Sequence, residues 1–432
     1  MSRLRLLALV LFCFPLLAGC QGELGHNVAE GAEAVPVDIQ LSETDWPGWR
    51  GPSSDGIAPK SARPPARLDE TELAWKAAIP GRGHSSPTIV GQRVVLTTAD
   101  EQAQTQSVIC LARKDGTLLW QTELFEDSFG HTNKKGSQAS ASVASDGHRF
   151  FICFFAHGSV WTTALDLAGK KLWEKEISRF TSHQGFGASP TIYGNNVIVA
   201  ADNKGSGKGC LVALERSTGK VVWSQDRPVK PNYTSPIILK VSGRDQLLLA
   251  GCDQLAAYDP ATGRQLWVAD ATTTECVGTA VVAEGLVFAS GGYPKHETAA
   301  VRADGSGEVV WRNSVRVYVP SLLAFDKHIY TVTDDGVAYC WDAASGTERW
   351  KGRLGGGFTA SPILAAGTIY FANENGEVIL VEASAEKLVK TGSFQVGDEI
   401  MATPAFSGKQ VFIRSTIHGD KRQEYVYCFG SN

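Results

Sequence analysis

The sequence predicts an all-β protein, an eight-bladed β-propeller of four-stranded antiparallel blades whose ring is closed by the N-terminal strand joining the C-terminal blade. Three observations predict it. One phrase, AYDPATGRQLW from Ala257 to Trp267, recurs about every 45 residues, a period that signals blades or solenoid units. A second apolar hairpin phrase alternates with it. The two ends of the repeat region hold complementary fractions of one blade.

Copies of the first phrase end at Trp120, Trp173, Trp223, Trp267, Trp311 and Trp350, with a decayed copy at Lys390 and a lone TELAWK around Trp75 upstream. Each full copy is an apolar strand, a turn, and a short strand closing on Trp. Gly116, Gly169, Gly219, Gly263, Gly307 and Gly346 sit four residues before the aromatic, where a tight hairpin asks for a left-handed residue. The second phrase is clearest as SSPTIVGQRVVLTT from Ser85, ASPTIYGNNVIVAA from Ala188, ASPILAAGTIYFAN from Ala360 and ATPAFSGKQVFIRS from Ala402, with looser copies near Ala139, Ser235, Thr279 and Pro320. It reads as a hairpin with a small or Pro-containing approach. Two hairpins per period make one blade.

The Trp explains the period. A four-stranded sheet cannot bury both faces alone, so blades stack around an axis, and an indole on the outer strand fills the widening wedge. Burying one such ring is worth about 2–3 kcal/mol. Small partners such as Ala213 and Ala257, ten residues before the Trp, leave room for it. Outer strands and inner hairpins both count to eight. The last hairpin is followed only by EYVYCFG, one strand short, and TELAWKAAI supplies the missing outer strand. Eight blades follow, with seven as the alternative count; closure through both termini also removes an exposed sheet edge.

Before the repeats, residues 1–19 read as a lipoprotein signal peptide: Arg3 and Arg5, an apolar run from Leu6 to Leu17, then Leu-Ala-Gly-Cys20, which resembles a bacterial lipobox with Cys20 as the lipid attachment point. An ordinary secretory signal is the alternative. By resemblance to sorted bacterial lipoproteins, Gln21 rather than Asp after the cysteine favours the outer membrane. Residues 20–44 are acidic and aromatic-poor, a flexible tether. Residues 45–68 open with WPGWRGPSSDG, two Trp and Arg50 expected to pack on the outside of the propeller that occupies 69–432. Removing the leader with its two Arg takes the formal charge from −4 to −6, so nothing suggests nucleic acid. Seven cysteines remain besides Cys13 and Cys20. Their odd number and strand positions favour buried reduced thiols over a disulfide framework.

The links between blades and the turns between second and third strands share one face, where binding residues concentrate in such folds. They gather Arg82, His84, His131, Asn133, Lys134, His183, Lys204 and Tyr233, a polar and partly basic mouth on an acidic protein. Two readings stand: an anionic ligand or peptide bound there, or side chains capping loop carbonyls and facing water. His84, His131 and His183 come from successive early blades, but no local motif supports a metal, and no catalytic residue is assigned. GSGKG at 205–209 lacks the Ser/Thr of a phosphate loop, and Gly355-Gly356-Gly357 precedes a strand, not a helix.

The A-x-D-x-x-T-G-x-x-x-W phrase, as Ala257, Asp259, Thr262, Gly263 and Trp267, resembles the repeat of pyrroloquinoline-quinone-like (PQQ-like) propellers. That resemblance covers about residues 70–430 and embraces two groups: the quinoprotein alcohol dehydrogenases, and the non-enzymatic lipoprotein of the outer-membrane barrel-assembly machinery (BamB-like). The second implies a lipid-anchored, monomeric, periplasm-facing scaffold for protein or peptide partners, with no cofactor. The first implies PQQ clamped by a vicinal Cys-Cys disulfide or a substitute and a stacking Trp, with calcium held by acidic and amide ligands beside a catalytic Asp. This chain has no adjacent cysteines, and Asp202-Asn203 and Asp334-Asp335 read as turn residues. WPGWRG departs from the usual assembly-factor pattern and is similar to an N-terminal element of bacterial PQQ-like propellers of unknown role.

Overall fold

Eight four-stranded antiparallel sheets follow one another around a central axis in a computed structural model that describes residues 39–431, apart from 182 and 206–208. Blades 1–7 run from Thr88 to Gln395 in order. Blade 8 takes three strands from Ala405 to Phe429 and its outer strand, Leu73–Ile79, from the other end of the repeat region, with Trp75 opposite Cys428 and Lys76 opposite Tyr427. The ring therefore closes through both ends of the propeller, at eight blades. The leader, Cys20 and most of the tether lie outside the described residues.

The indoles fill the wedges as expected, and the structure adds why the turn must carry glycine. Each Trp reaches into the next blade. Trp75, Trp120, Trp173, Trp223, Trp311 and Trp350 donate Nε1–H to the carbonyls of Arg113, Leu167, Arg216, Pro260, Ala343 and Ser384. The ring lies flat on that blade's turn glycine: a Cβ on Gly263 would fall 2.5 Å from Trp223, and one on Gly169 2.7 Å from Trp120. Ala213, the cross-strand neighbour of Trp223 in its own blade, is small enough to leave room for the ring. Glycine thus satisfies two demands, a φ of 73° at Gly263 and the space for an indole. Trp267 is the variant, donating instead to Gln246 Oε1 at 2.7 Å.

Gly263→Val should cost about 2–4 kcal/mol, from left-handed strain plus overpacking. Gly285→Ala is the control: its φ is 74° but nothing lies within 4 Å of the added carbon, so only about 1 kcal/mol of strain is expected. Urea denaturation of the two variants measures the difference.

A second device encircles the axis. The approach to each inner strand carries a hydroxyl residue: Ser86, Ser142, Ser189, Ser235, Thr279, Ser321, Ser361 and Thr403. In six steps the backbone N–H of one donates to the hydroxyl of its successor, as Ser86 to Ser142 at 2.9 Å, Ser142 to Ser189 at 2.9 Å and Ser361 to Thr403 at 2.9 Å. These links satisfy backbone donors that face the channel rather than a neighbouring strand. The seven cysteines Cys110, Cys153, Cys210, Cys252, Cys276, Cys340 and Cys428 are buried and unbridged.

The N-terminal segment does not pack on the outside, as the sequence reading expected; it enters the channel. Residues 39–44, assigned to the tether, already lie against the face opposite the interblade links: Gln40 N–H donates to Asp146 O at 3.0 Å, and the hydroxyl of Ser407 to Thr44 O. Asp45 caps the turn of blade 1 through Gly91 N–H at 2.8 Å. Trp46 then pairs with Ile89 of the innermost strand of blade 1, Ile57 bridges Leu364 of blade 7, and Arg50 crosses to blades 5 and 6. The reason is burial. Trp46 is 1% exposed against Phe406, and Arg50 is 0% exposed, donating to Thr279 Oγ1 at 3.1 Å and Leu322 O at 2.6 Å. Two of the motif's three glycines are the seats for these side chains: a Cβ on Gly51 would touch the Trp46 ring at 2.7 Å, and one on Gly56 the Arg50 guanidinium at 2.4 Å. Burial lowers the Arg50 pKa to about 10, partly offset by Asp55. WPGWRGPSSDG is a plug for the axial channel.

Candidate functional site

Plugging one end converts the channel into a blind cavity of about 450 Å³ that faces the interblade links, within the size range of small-molecule sites. All eight blades contribute, from His84 on the link into blade 1 to Met401 on the link into blade 8. The plug itself supplies Trp49, which remains half-buried while its neighbours Trp46 and Arg50 are fully enclosed. Aromatic walls come from Phe186, Tyr233, Tyr318 and Phe358.

Three of the eight expected face residues, His84, Asn133 and Tyr233, line this cavity. His183 stands behind Tyr233: its Nδ1 lies 3.4 Å from the Tyr233 hydroxyl and 3.7 Å from Glu275 Oε1. Arg82 stays at the entrance, donating to Glu101 at 3.0 Å and to Lys134 O at 3.4 Å. His131 and Lys134 are exposed on the long link into blade 2, and Lys204 is exposed on a turn of blade 3. The three early histidines do not assemble a metal centre: among the described residues no three His, Cys, Asp or Glu side chains come together to hold an ion. The link that carries His131 does something else. It crosses the mouth, and Lys135 Nζ reaches Glu374 of blade 7 at 2.7 Å, with Thr359 Oγ1 donating to the same carboxylate at 2.8 Å.

Sequence reading missed four residues that shape the site. Glu275, 4% exposed, accepts the Tyr318 hydroxyl at 2.8 Å and sits near His183. Burial and this carboxylate push both the Tyr233 and Tyr318 phenols up, so each remains a neutral donor. Asp334, read as a turn residue, accepts Tyr318 N–H at 2.9 Å and Val319 N–H at 3.2 Å; desolvation raises its pKa against these two amides and nearby Arg316. Asp202, also read as a turn residue, is a buried bidentate partner of Arg227, at 3.0 and 3.1 Å. Trp49 was visible only as part of the motif, with no signal for its destination.

His84 is uncharged at neutral pH. Burial lowers its pKa to about 3, with Glu424 opposing that and Arg82, Arg414 and Arg422 reinforcing it. Its Nε2 has no hydrogen-bond partner. Because the folded value lies below the unfolded one, this imidazole adds no pH dependence above about 6.5. As pH falls towards 3 the unfolded chain takes up a proton that the folded chain refuses, and stability drops by at most about 1.4 kcal/mol per pH unit. His84→Gln should flatten the stability profile between pH 6.5 and 3 relative to the parent, as read by urea midpoints across that range.

A family model described as outer membrane protein assembly factor BamB matches residues 67–182, 104–352 and 295–390. Among curated proteins, the chain is 25% identical over 365 residues to the outer membrane protein assembly factor BamB of Burkholderia pseudomallei, covering 80% of this chain and 85% of that protein. It is also 25% identical over 201 residues to a polyvinylalcohol dehydrogenase of a Pseudomonas species, covering 44% of this chain but only 30% of that protein. Among solved structures, a europium-containing methanol dehydrogenase superposes with a TM-score of 0.68 at 12% identity, over 91% of this chain and 99% of that one. BamB from Moraxella catarrhalis superposes with a TM-score of 0.58 at 16% identity, over 83% and 99%. At such identities the superpositions speak for the fold alone. The repeat phrase, the closed ring of eight blades and a family match spanning most of the propeller agree, and the chain belongs to the BamB family of PQQ-like β-propellers.

Proposed function

We propose that the protein is a lipid-anchored propeller facing the periplasm, held at the outer membrane through Cys20, and that it works as a monomeric, non-enzymatic scaffold for protein partners in cell-envelope assembly. Family membership supports the process. One surface observation carries the partner reading. The outermost strands of blades 1, 2 and 3 place apolar side chains in solvent at equivalent positions before the wedge Trp: Leu118 and Leu119 at 49% and 50% exposure, Leu172 at 45%, Val221 and Val222 at 50%. In blade 6 the corresponding positions are Glu348 and Arg349, and in blades 4 and 5 Leu266, Val309 and Val310 are only partly exposed, so the most exposed apolar side chains at these positions lie on the neighbouring blades 1 to 3. Neighbouring apolar patches on open sheet edges suit a partner that adds a strand or covers the band.

Pull-down of the lipidated protein from envelope extracts should recover a stoichiometric partner. The double variant Leu119→Asp, Val222→Asp should lose it while its urea midpoint moves by less than about 0.5 kcal/mol equivalent, as expected for exposed positions. A partner retained by this variant would remove the band from the interface.

A second reading, a quinone-dependent oxidoreductase, draws on the likeness to dehydrogenases. The residues present do not fit that cofactor. Asp334 is the one carboxylate lining the cavity, and backbone amides already engage both its oxygens. Lys135 is committed to Glu374, His84 is neutral, and no vicinal cysteines exist to clamp a quinone plane. Adding PQQ and calcium should leave the protein without a bound chromophore and without dye reduction on alcohols or sugars.

A further inference from the structure

We infer that the axial cavity is a binding site for a neutral saccharide, with the plug residue Trp49 as the platform for a pyranose ring. The inference goes beyond the scaffold reading and uses none of the residues in the outer band.

Trp49 is the first observation. The plug buries Trp46 and Arg50 completely but leaves the next indole half-open in the cavity. Enclosing such a ring is favourable, so an exposed face at the bottom of a blind cavity is apolar surface available to a ligand. The second observation is the stock of unspent neutral polar groups. The Gln184 side-chain amide and Asn133 Nδ2 line the cavity and make no hydrogen bond among the described residues; the Asn133 side-chain oxygen accepts Lys135 N–H at 2.7 Å. Amides both donate and accept, which matches hydroxyls that do the same. Tyr233 and Tyr318 add aromatic wall, their hydroxyls already engaged by His183 and Glu275.

The third observation is charge. Lys135 is paired with Glu374, His84 is uncharged, and Arg316, stacked 5.5 Å over Tyr318, lies in the field of Asp334. The lining is balanced: Arg316 makes no ion pair among the described residues, but a single guanidinium offset by Asp334 is too little positive charge for a polyanion such as a quinone tricarboxylate. Its lining carboxylate, Asp334, already accepts one backbone amide on each oxygen and is offset by Arg316, which leaves no net negative charge to draw an ammonium group. An extended peptide is disfavoured by the closed end, since the plug leaves it no exit. An apolar ring face against Trp49, with hydroxyls reaching amides around the rim, is the chemistry that remains, and about 450 Å³ accommodates one or two sugar rings.

The test is calorimetric titration of the full lipidated chain, held in a detergent without a sugar headgroup, with cellobiose, maltose and N,N′-diacetylchitobiose as probes. PQQ and tetramethylammonium serve as the anionic and cationic comparisons. At least one saccharide is expected to bind with a Kd below about 10 mM, to shift indole fluorescence, and to lose at least tenfold in affinity in both Trp49→Ala and Gln184→Ala. Gln184 sits on an interblade link outside the plug, so its variant keeps the test open if Trp49→Ala loosens the fold. Three outcomes would each overturn the proposal: none of the three saccharides binds, affinity is unchanged in both variants, or PQQ or tetramethylammonium binds in their place. Partner capture by the outer band is read separately, so loss of one function leaves the other standing.

Discussion

Trp223→Ala is expected to destabilise the protein by about 3–5 kcal/mol. The indole is 9% exposed and packs in one apolar cluster with Ile198, Leu211 and Ala213 of its own blade and with Leu247, Leu249 and Tyr258 of blade 4. Removing it takes away the filler of a wedge that cannot collapse, because the ring fixes the angle between neighbouring blades. It also deletes the bond from Nε1 to Pro260 O at 3.3 Å and uncovers Gly263. Trp223→Phe separates these contributions: it keeps most of the ring and should cost about 1–2 kcal/mol, for the lost hydrogen bond and the reduced volume. Urea denaturation at constant m-value measures both. An alanine variant within 1 kcal/mol of the parent would mean that the indoles do not space the blades.

Arg227→Met should cost about 3–5 kcal/mol for a different reason. The guanidinium is fully buried at the end of the outer strand of blade 3, bidentate to Asp202 and bonded to the Tyr258 hydroxyl at 3.0 Å. Desolvation lowers its pKa, but the field of Asp202 and the bonds to it outweigh that, so the guanidinium stays charged. Truncating the arginine strands a carboxylate whose remaining side-chain partner is Asn232 at 2.9 Å. Asp202→Asn combined with Arg227→Met should recover more than half of the loss, because it removes the unpaired charge. Asn232 also donates to Ala250 O and accepts Cys276 N–H, tying the links into blades 4 and 5 together beside Tyr233. The stability of this cluster therefore bears directly on one wall of the cavity.

Much of the fold was legible in the sequence because its cause is local and repeated. Alternating apolar strands, a left-handed glycine and an aromatic four residues later recur with one spacing, and each copy confirms the others. The count of eight and the shared last blade followed from arithmetic on strands, and the pairing of Leu73–Ile79 with the C-terminal strand bears it out. The Ser-Pro and Thr-Pro steps before the inner strands were visible as small approaches, but the hydroxyl ring they form was not. That ring links residues 40 to 56 positions apart, which no local pattern specifies.

The candidate site was legible only in part. Of the residues placed on one face by loop position, His84, Asn133 and Tyr233 line the cavity, while His131, Lys134 and Lys204 are solvent-facing. Glu275, Asp334 and Asp202 gave no signal of burial, since an acidic residue in a turn reads the same whether its partner is water, a backbone amide or an arginine from another strand.

By itself, the sequence determined the strands, their turns, the number of blades and how the circle closes, because these depend on the two-residue period of a strand and on backbone preferences within a dozen residues. Tertiary structure alone decided that WPGWRG goes inside and that the channel becomes a blind cavity. The interior of a ring exists only after all eight blades have closed, and the energy of filling it belongs to contacts between residues as distant as Arg50 and Leu322.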